Sequence, residues 1–166
     1  MRRVILGLAL LLSACAGERQ QADARFRSPE APIWSAAAFV PTDIAGTWQQ
    51  VAAYQTGTTG SCQAGAVDIR PVAGGLAIRG TLCLDGTARK VSGMATAAGP
   101  GRLAVQGQED WWILWVDSGY RTLAIGTPSG RFGFVLDRGA TPPDRLIAAR
   151  EIFDFNGYAP AAFRAF

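Results

Sequence analysis

The feature that most constrains the fold is a series of eight short segments in which apolar residues alternate with polar ones or run together. Turn residues separate these segments, and Asp85-Gly86 is a strong signal for a two-residue hairpin. The predicted strands are residues 47–55, 66–70, 76–84, 87–96, 102–106, 111–116, 121–126 and 131–138. Strands joined in hairpin order form a meander, and closing it removes the exposed edges. The sequence therefore predicts an all-β protein, an eight-stranded antiparallel up-and-down β-barrel.

The periodicity changes after the last predicted strand. Thr141 and Asp144 have the spacing of a capping box, with Pro142 at the first helical position, and Asn156-Gly157 supplies a stop signal. Apolar residues recur at helical spacing in between: Leu146, Ile147, Ala149, Ile152 and Phe153. We expect one C-terminal α-helix whose apolar stripe packs on the outside of the barrel.

The N-terminus has the layout of a secretory signal peptide over residues 1–14, with two arginines, an apolar run and then small residues. The apolar run is too short to span a bilayer. Residues 12–15, Leu-Ser-Ala-Cys, resemble the lipobox of bacterial lipoproteins, which implies cleavage before Cys15 and a lipid on its thiol. The alternative is an ordinary signal peptide with an incidental cysteine. We interpret residues 15–42 as a lipidated N-terminus and tether, and residues 43–166 as the barrel with its helix.

Two cysteines remain if Cys15 carries lipid. An export signal places Cys62 and Cys83 in an oxidising compartment, where we expect a disulfide; two reduced, buried cysteines are the alternative. A hairpin with a turn at residues 71–74 brings the sulfurs together and sets Val67 against Ile78. In the same register Ile69 pairs with Leu76.

Composition argues against several functions. The net charge is +3, and removal of residues 1–14 takes away two arginines and no acidic residue, so no nucleic-acid partner is expected. The chain has no histidine, which excludes histidine-based triads and the commonest metal ligand. Serine and aspartate occur without the spacing of a nucleophile and its base. We therefore expect no enzyme, no metal and no cofactor.

Three motifs resemble those of the lipocalins. Residues 39–48, Phe-Val-Pro-Thr-Asp-Ile-Ala-Gly-Thr-Trp, are similar to the entry of the first lipocalin strand, including its Gly-x-Trp signature. Residues 116–120 and 134–138 resemble the second and third motifs. The resemblance covers residues 39–163 and is nearest to the bacterial lipocalins, often outer-membrane lipoproteins. It implies that Gly46, Trp48 and Arg138 close one end of the barrel, with the guanidinium over the indole.

The resemblance implies that the face of the last strand bearing Phe132, Phe134 and Leu136 turns inward, and alternation along the other strands then predicts a ligand site inside the barrel. A tightly filled core with no cavity is the alternative. The expected ligand-binding residues are Gln50, Tyr54, Trp111, Ile113, Trp115, Phe132, Phe134 and Leu136. Ala52 and Gly80, also expected to face inward, would leave room. Gln50 or Tyr54 is a candidate for holding a polar head group, and the Gly/Thr-rich residues 55–61 are a candidate lid at the end opposite Trp48. No ligand contacts are assigned between residues 57 and 107.

The resemblance implies a monomeric, membrane-anchored protein that binds a lipophilic small molecule, such as a fatty acid or lysophospholipid. We expect the lipid on Cys15 to place it on the outer membrane of a Gram-negative bacterium, facing the periplasm. The alternative is an envelope interaction protein, inhibitor-like or structural, that uses the outside of the barrel and has no small-molecule ligand.

Overall fold

A computed structural model describes residues 25–57 and 62–166, so the predicted signal peptide and Cys15 lie outside the described residues. The strands are β1 (Gly46–Tyr54), β2 (Ala66–Val72), β3 (Gly75–Leu84), β4 (Thr87–Gly99), β5 (Arg102–Val105), β6 (Trp111–Val116), β7 (Thr122–Gly126), β8 (Gly133–Asp137) and β9 (Phe163–Ala165). One α-helix, α1 (Pro143–Phe155), follows β8, and two short 3₁₀ helices span Pro41–Ile44 and Pro160–Ala162. Each predicted strand corresponds to one of β1 to β8.

The sheet closes on itself. Every strand from β2 to β7 pairs antiparallel with the next, and β1 pairs with both β8 and β2. The predicted eight-stranded up-and-down barrel is therefore confirmed. The additional strand β9 pairs with residues 52–54 of β1, beyond the point where β1 leaves β2.

Apolar side chains form two layers. One cluster fills the barrel, and a second lies between the barrel wall and α1. The helix contacts β6, β7 and β8, as predicted, through buried Ala149 and Phe153. Ile147 is exposed rather than packed on the wall. The predicted capping box is also wrong: Pro142 is the N-cap residue, the helix begins at Pro143, and the Thr141 hydroxyl makes no hydrogen bond.

Two β-bulges change which side chains face inward. The register shifts between Gln50 and Ala52 in β1, and between Ile113 and Trp115 in β6. An extra residue reverses the alternation beyond it. Ala52 and Trp115, predicted to face inward, consequently belong to the outer cluster. Tyr54 does too, and Ala53 takes the inward place in β1.

The Cys62–Cys83 disulfide is present, as predicted, but the hairpin register is wrong by two residues. Val67 pairs with Gly80, and Ile69 pairs with Ile78. The cause is the turn: Ala73 and Gly74 alone connect β2 to β3, with Gly74 at φ +83°, so β2 extends two residues and β3 one residue further into the turn than expected. Within the described ranges, no helix is long and apolar enough to cross a membrane.

Candidate functional site: the open mouth of the barrel

The two ends of the barrel differ. The end at which β1 starts, where Trp48 lies, is closed, and the opposite end is open. At the closed end Trp48 is fully buried and its indole nitrogen donates to the Ile44 carbonyl at 2.8 Å. The Arg138 guanidinium carbon lies 4.3 Å from the centre of the indole. Arg138 also donates to the Tyr120 carbonyl at 2.8 Å and to the Asp43 carbonyl at 2.9 Å. The guanidinium thus fastens two closing segments over the tryptophan.

Gly46 makes this closure possible. Its φ is +124°, and a Cβ at this position would lie 2.7 Å from the Arg138 Nη1 atom. A larger residue would therefore strain the backbone and push the guanidinium away from Trp48.

Asp117 organises the neighbouring β6–β7 turn. Its Oδ1 atom accepts from the backbone N–H groups of Arg121 at 2.6 Å and Thr122 at 2.7 Å. Burial alone would raise the pKa of the Asp117 carboxyl, but these bonds and one from Gly119 outweigh it, so the pKa is lowered.

Gln50 faces inward but serves the sheet. Its Nε2 atom donates to the Cys83 carbonyl at 2.8 Å, while Oε1 accepts from the Cys83 N–H at 2.7 Å and the Gly65 N–H at 3.1 Å. The pairing of β2 with β3 stops before Cys83. There the side-chain amide of Gln50 makes the hydrogen bonds that a neighbouring strand would otherwise make. Gln50 is almost completely buried and is not a head-group ligand, contrary to the prediction.

The open end holds a cavity of about 470 Å³. Its inner part is apolar and its rim carries cations. The lining residues are Leu84, Arg89, Lys90, Gly107, Gln108, Glu109, Trp111, Thr127, Arg131, Phe132 and Phe134. Trp111 and Phe134 meet edge to face with centroids 5.3 Å apart and form the floor, because Ile113 and Leu136 lie fully buried beyond them.

The rim combines an aromatic ring with charged groups. The guanidinium carbons of Arg89 and Arg131 lie 5.5 Å and 5.7 Å from the centre of the Phe132 ring. Glu109 is held by the β7–β8 turn, where its two carboxylate oxygens accept from the Ser129 N–H and hydroxyl, both at 2.8 Å. Three cations and one carboxylate line the cavity, so its electrostatic field favours an anion.

Of the eight predicted ligand-binding residues, only Trp111, Phe132 and Phe134 line this cavity. Ile113 and Leu136 face inward but belong to the packed core below it. Two predictions are wrong in placement: Trp115 and Tyr54 lie outside the barrel. Tyr54 packs against Phe153, Tyr158 and Phe163, and burial strongly raises the pKa of its phenol. Burial likewise raises the pKa of Tyr158 to about 12.

The charged lining was missed by the sequence analysis. Arg89 and Lys90 fall between residues 57 and 107, where no contacts were assigned, and Glu109 and Arg131 sit in turns. One signal was available: Arg89-Lys90 follows the Asp85-Gly86 turn, which places the pair at one end of a hairpin. Among residues 25–57 and 62–166, no cluster of acidic or cysteine side chains has the make-up of a metal site.

Comparison with known proteins agrees with the architecture. Apocrustacyanin A1 of lobster superposes with a TM-score of 0.56 at 14% identity, covering 74% of this chain and 76% of that chain. Insecticyanin of the tobacco hornworm Manduca sexta gives 0.62 at 10% identity, over 86% and 88%. The siderocalin Ex-FABP, which functions through dual ligand specificities, gives 0.55 at 14%, over 73% and 91%.

These three proteins are lipocalins. The chain has the lipocalin fold. At such low identity the likeness shows the fold alone. Protein-family models give no match to this sequence, and neither do curated proteins. The sealed end, the open mouth and the outer helix of the lipocalin fold are all present. The chemical character of the mouth is set by the side chains of this chain.

Proposed function

We propose that this protein binds a small lipophilic ligand with an anionic head group in the cavity at the barrel mouth, and that a lipid on Cys15 anchors it in the bacterial envelope. The observation that carries the proposal is the cavity itself, which has an aromatic floor and a cationic rim. Its volume falls within the range of small-molecule sites. A carrier role needs no catalytic group.

The cavity geometry limits how the ligand lies. Because Trp111 and Phe134 close the floor, the apolar part occupies the upper barrel and does not run its full length. The head group then lies at the rim, within reach of Arg89, Lys90 and Arg131. Each buried methylene contributes about 0.8 kcal/mol before ordering and association costs, so we expect affinity in the micromolar range rather than tighter.

The experiment compares two ligands that differ only in the head group. A fatty acid and the alcohol of equal chain length are titrated by calorimetry into the delipidated full chain carrying Cys15→Ser. We expect the acid to bind more tightly, and Arg89→Ala with Lys90→Ala to remove most of that preference without weakening the alcohol. Exposed ion pairs contribute about 0.2–1 kcal/mol each, which corresponds to a loss of about 2- to 30-fold for the two substitutions together.

Arg79→Ala is the matched control, because Arg79 lies on β3 outside this cavity. Equal affinity for acid and alcohol would reject the anionic head group. No binding of either ligand would reject the carrier function.

The envelope interaction protein remains the second candidate. The observation that favours it is the extent of packing, since most of the barrel interior is filled by the protein's own side chains. Partner capture by the Cys15→Ser chain, together with no ligand binding, would put this function ahead.

A further inference from the structure

The path of the chain upstream of β1 fixes where an N-terminal anchor attaches. The Phe26 N–H donates to the Gly130 carbonyl at 2.7 Å, and the Ala159 N–H donates to the Phe26 carbonyl at 2.7 Å. Gly130 lies in the β7–β8 turn, which is a mouth turn. The first described residues are therefore fastened to the rim of the open end.

From this point the chain runs down the outside of the barrel to the closed end. The Ala36 N–H donates to the Ile113 carbonyl at 2.8 Å, halfway along β6. The Val40 N–H then donates to the Tyr120 hydroxyl at 2.8 Å, next to the closing Arg138. The described part of the predicted tether thus packs along the wall, and its first residue, Arg25, lies at the mouth.

The length of the remaining segment limits the orientation. Ten residue steps separate Cys15 from Arg25, so fully extended they span at most about 35 Å. The nine residues of β1, tilted as strands are in a barrel, place the two ends roughly 20–25 Å apart along the axis. To turn the closed end toward the bilayer, the segment would need most of its full extension. An orientation with the mouth toward the bilayer does not require this extension.

The two ends of the barrel also differ in charge, and the mouth is the more cationic end. Around the mouth, the described residues include five cationic side chains near or in the openings: Arg25, Arg89, Lys90, Arg131 and Arg164. Acidic side chains there include Asp85, Glu109 and Asp110, and Asp85 is bonded to Thr56. At the closed end, within the same described ranges, cations and carboxylates occur in pairs such as Arg70 with Asp68 and Arg121 with Asp117. Anionic phospholipid attracts basic groups by about 1 kcal/mol each close to the surface.

An apolar groove adjoins the same rim. It lies outside the barrel between Phe26, Gln55 and Ala162, with Arg25 and Arg164 at its edges. We propose that this end of the molecule, comprising the cavity rim and the groove, faces the phospholipid bilayer when Cys15 is anchored, so that ligand passes between membrane and cavity without crossing bulk water. The proposal rests on the lipid anchor of the proposed function.

The test uses the full lipidated chain reconstituted in vesicles of phosphatidylcholine with a minor fraction of phosphatidylglycerol. A fluorophore is placed at the mouth through Gln106→Cys or at the closed end through Ala73→Cys, both exposed positions. Energy transfer to an acceptor on the lipid head groups reports distance. We expect transfer several-fold stronger from the mouth label. Equal transfer, or stronger transfer from the closed-end label, would overturn the orientation.

Charge variants sharpen the result. Arg25→Glu removes a rim cation that does not line the ligand cavity, and we expect it to reduce the difference between the two labels. Arg70→Glu is the control, since Arg70 is exposed on β2 near the closed end and pairs with Asp68. A difference unchanged in both variants would contradict the role of rim charge.

The possible outcomes distinguish the anchor, the ligand site and the orientation. A chain that does not float with vesicles would reject the anchor and the orientation together, whereas ligand binding by the Cys15→Ser chain would still stand. Flotation with the closed-end label nearer the lipid would reject the orientation alone.

Discussion

The closed and open ends of this barrel are built from the same kinds of residues with opposite results. At the closed end, Arg138 lies over Trp48 and donates to backbone carbonyls that no strand pairs. At the open end, Arg89 and Arg131 lie over Phe132 and border an empty volume. The difference teaches that a cation over an aromatic ring does not by itself seal a barrel: at the closed end the same guanidinium also bonds two loop carbonyls above a packed core.

The largest expected effect comes from removing the indole at the closed end. Trp48→Ala should lower the free energy of unfolding by about 3–5 kcal/mol, since a fully buried aromatic leaves a large cavity. Phe132→Ala at the mouth should cost only about 1–2 kcal/mol, because Phe132 is half-buried. Urea denaturation measures both. Equal losses would contradict the contrast between a sealed end and an accessible one.

Backbone strain at the seal should give the next largest effect. Gly46→Ala puts a Cβ into contact with Arg138 at positive φ, and we expect a loss of about 1–3 kcal/mol. Gly139→Ala is the control, because nothing lies within 4 Å of its Cβ position. Thermal unfolding of the two variants separates strain from the general effect of replacing glycine. A control that is as unstable as Gly46→Ala would reject this account.

Asp117 makes stability at the closed end depend on pH. Its pKa is lowered in the folded state by the backbone N–H groups that it accepts from, so its contribution is present above the unfolded-state value and is lost as pH falls through the folded-state value. Asp117→Ala should cost about 1–2 kcal/mol at neutral pH and progressively less in acid. Urea midpoints from neutral pH down to acid measure this. The exposed Asp43→Ala should shift the midpoint little, and a constant Asp117→Ala effect at all pH values would be inconsistent with the pKa.

The smallest effect on stability should come from the rim. Arg89→Ala is expected to change the free energy of unfolding by less than about 0.5 kcal/mol, because the side chain is exposed, while weakening binding of an anionic ligand. Denaturation and calorimetry on the same sample check this. A stability loss as large as that of Gly46→Ala would assign Arg89 to the structure instead of the site.

The fold could be predicted from the sequence because alternation, turn residues and the change to helical spacing are local signals. Strand order followed from them, whereas the place of Trp48 and Arg138 was implied by the resemblance to the lipocalin motifs. The ligand face could not be predicted in the same way, because a bulge adds one residue without leaving a mark in composition. The bulges near Gln50 and Leu114 moved Tyr54 and Trp115 to the outside.

The role of Gln50 illustrates a second limit. Alternation along the strand correctly predicted that Gln50 faces inward. The hydrogen bonds of its side-chain amide to Cys83 and Gly65, however, depend on where β2 stops pairing with β3. Similarly, the hairpin register required knowing that two residues, not four, make the turn after β2. Such facts depend on long-range pairing, which a single sequence does not display.

The most direct test of the ligand site is contact quenching of tryptophan by a fatty acid brominated along its chain. Of the described tryptophans, Trp111 lines the cavity, whereas Trp115 lies outside the barrel against the helix side. We predict saturable quenching in the Cys15→Ser chain that is largely lost in Trp111→Phe and retained in Trp115→Phe. Quenching that survives Trp111→Phe, or that disappears in Trp115→Phe, would contradict a ligand site at the mouth.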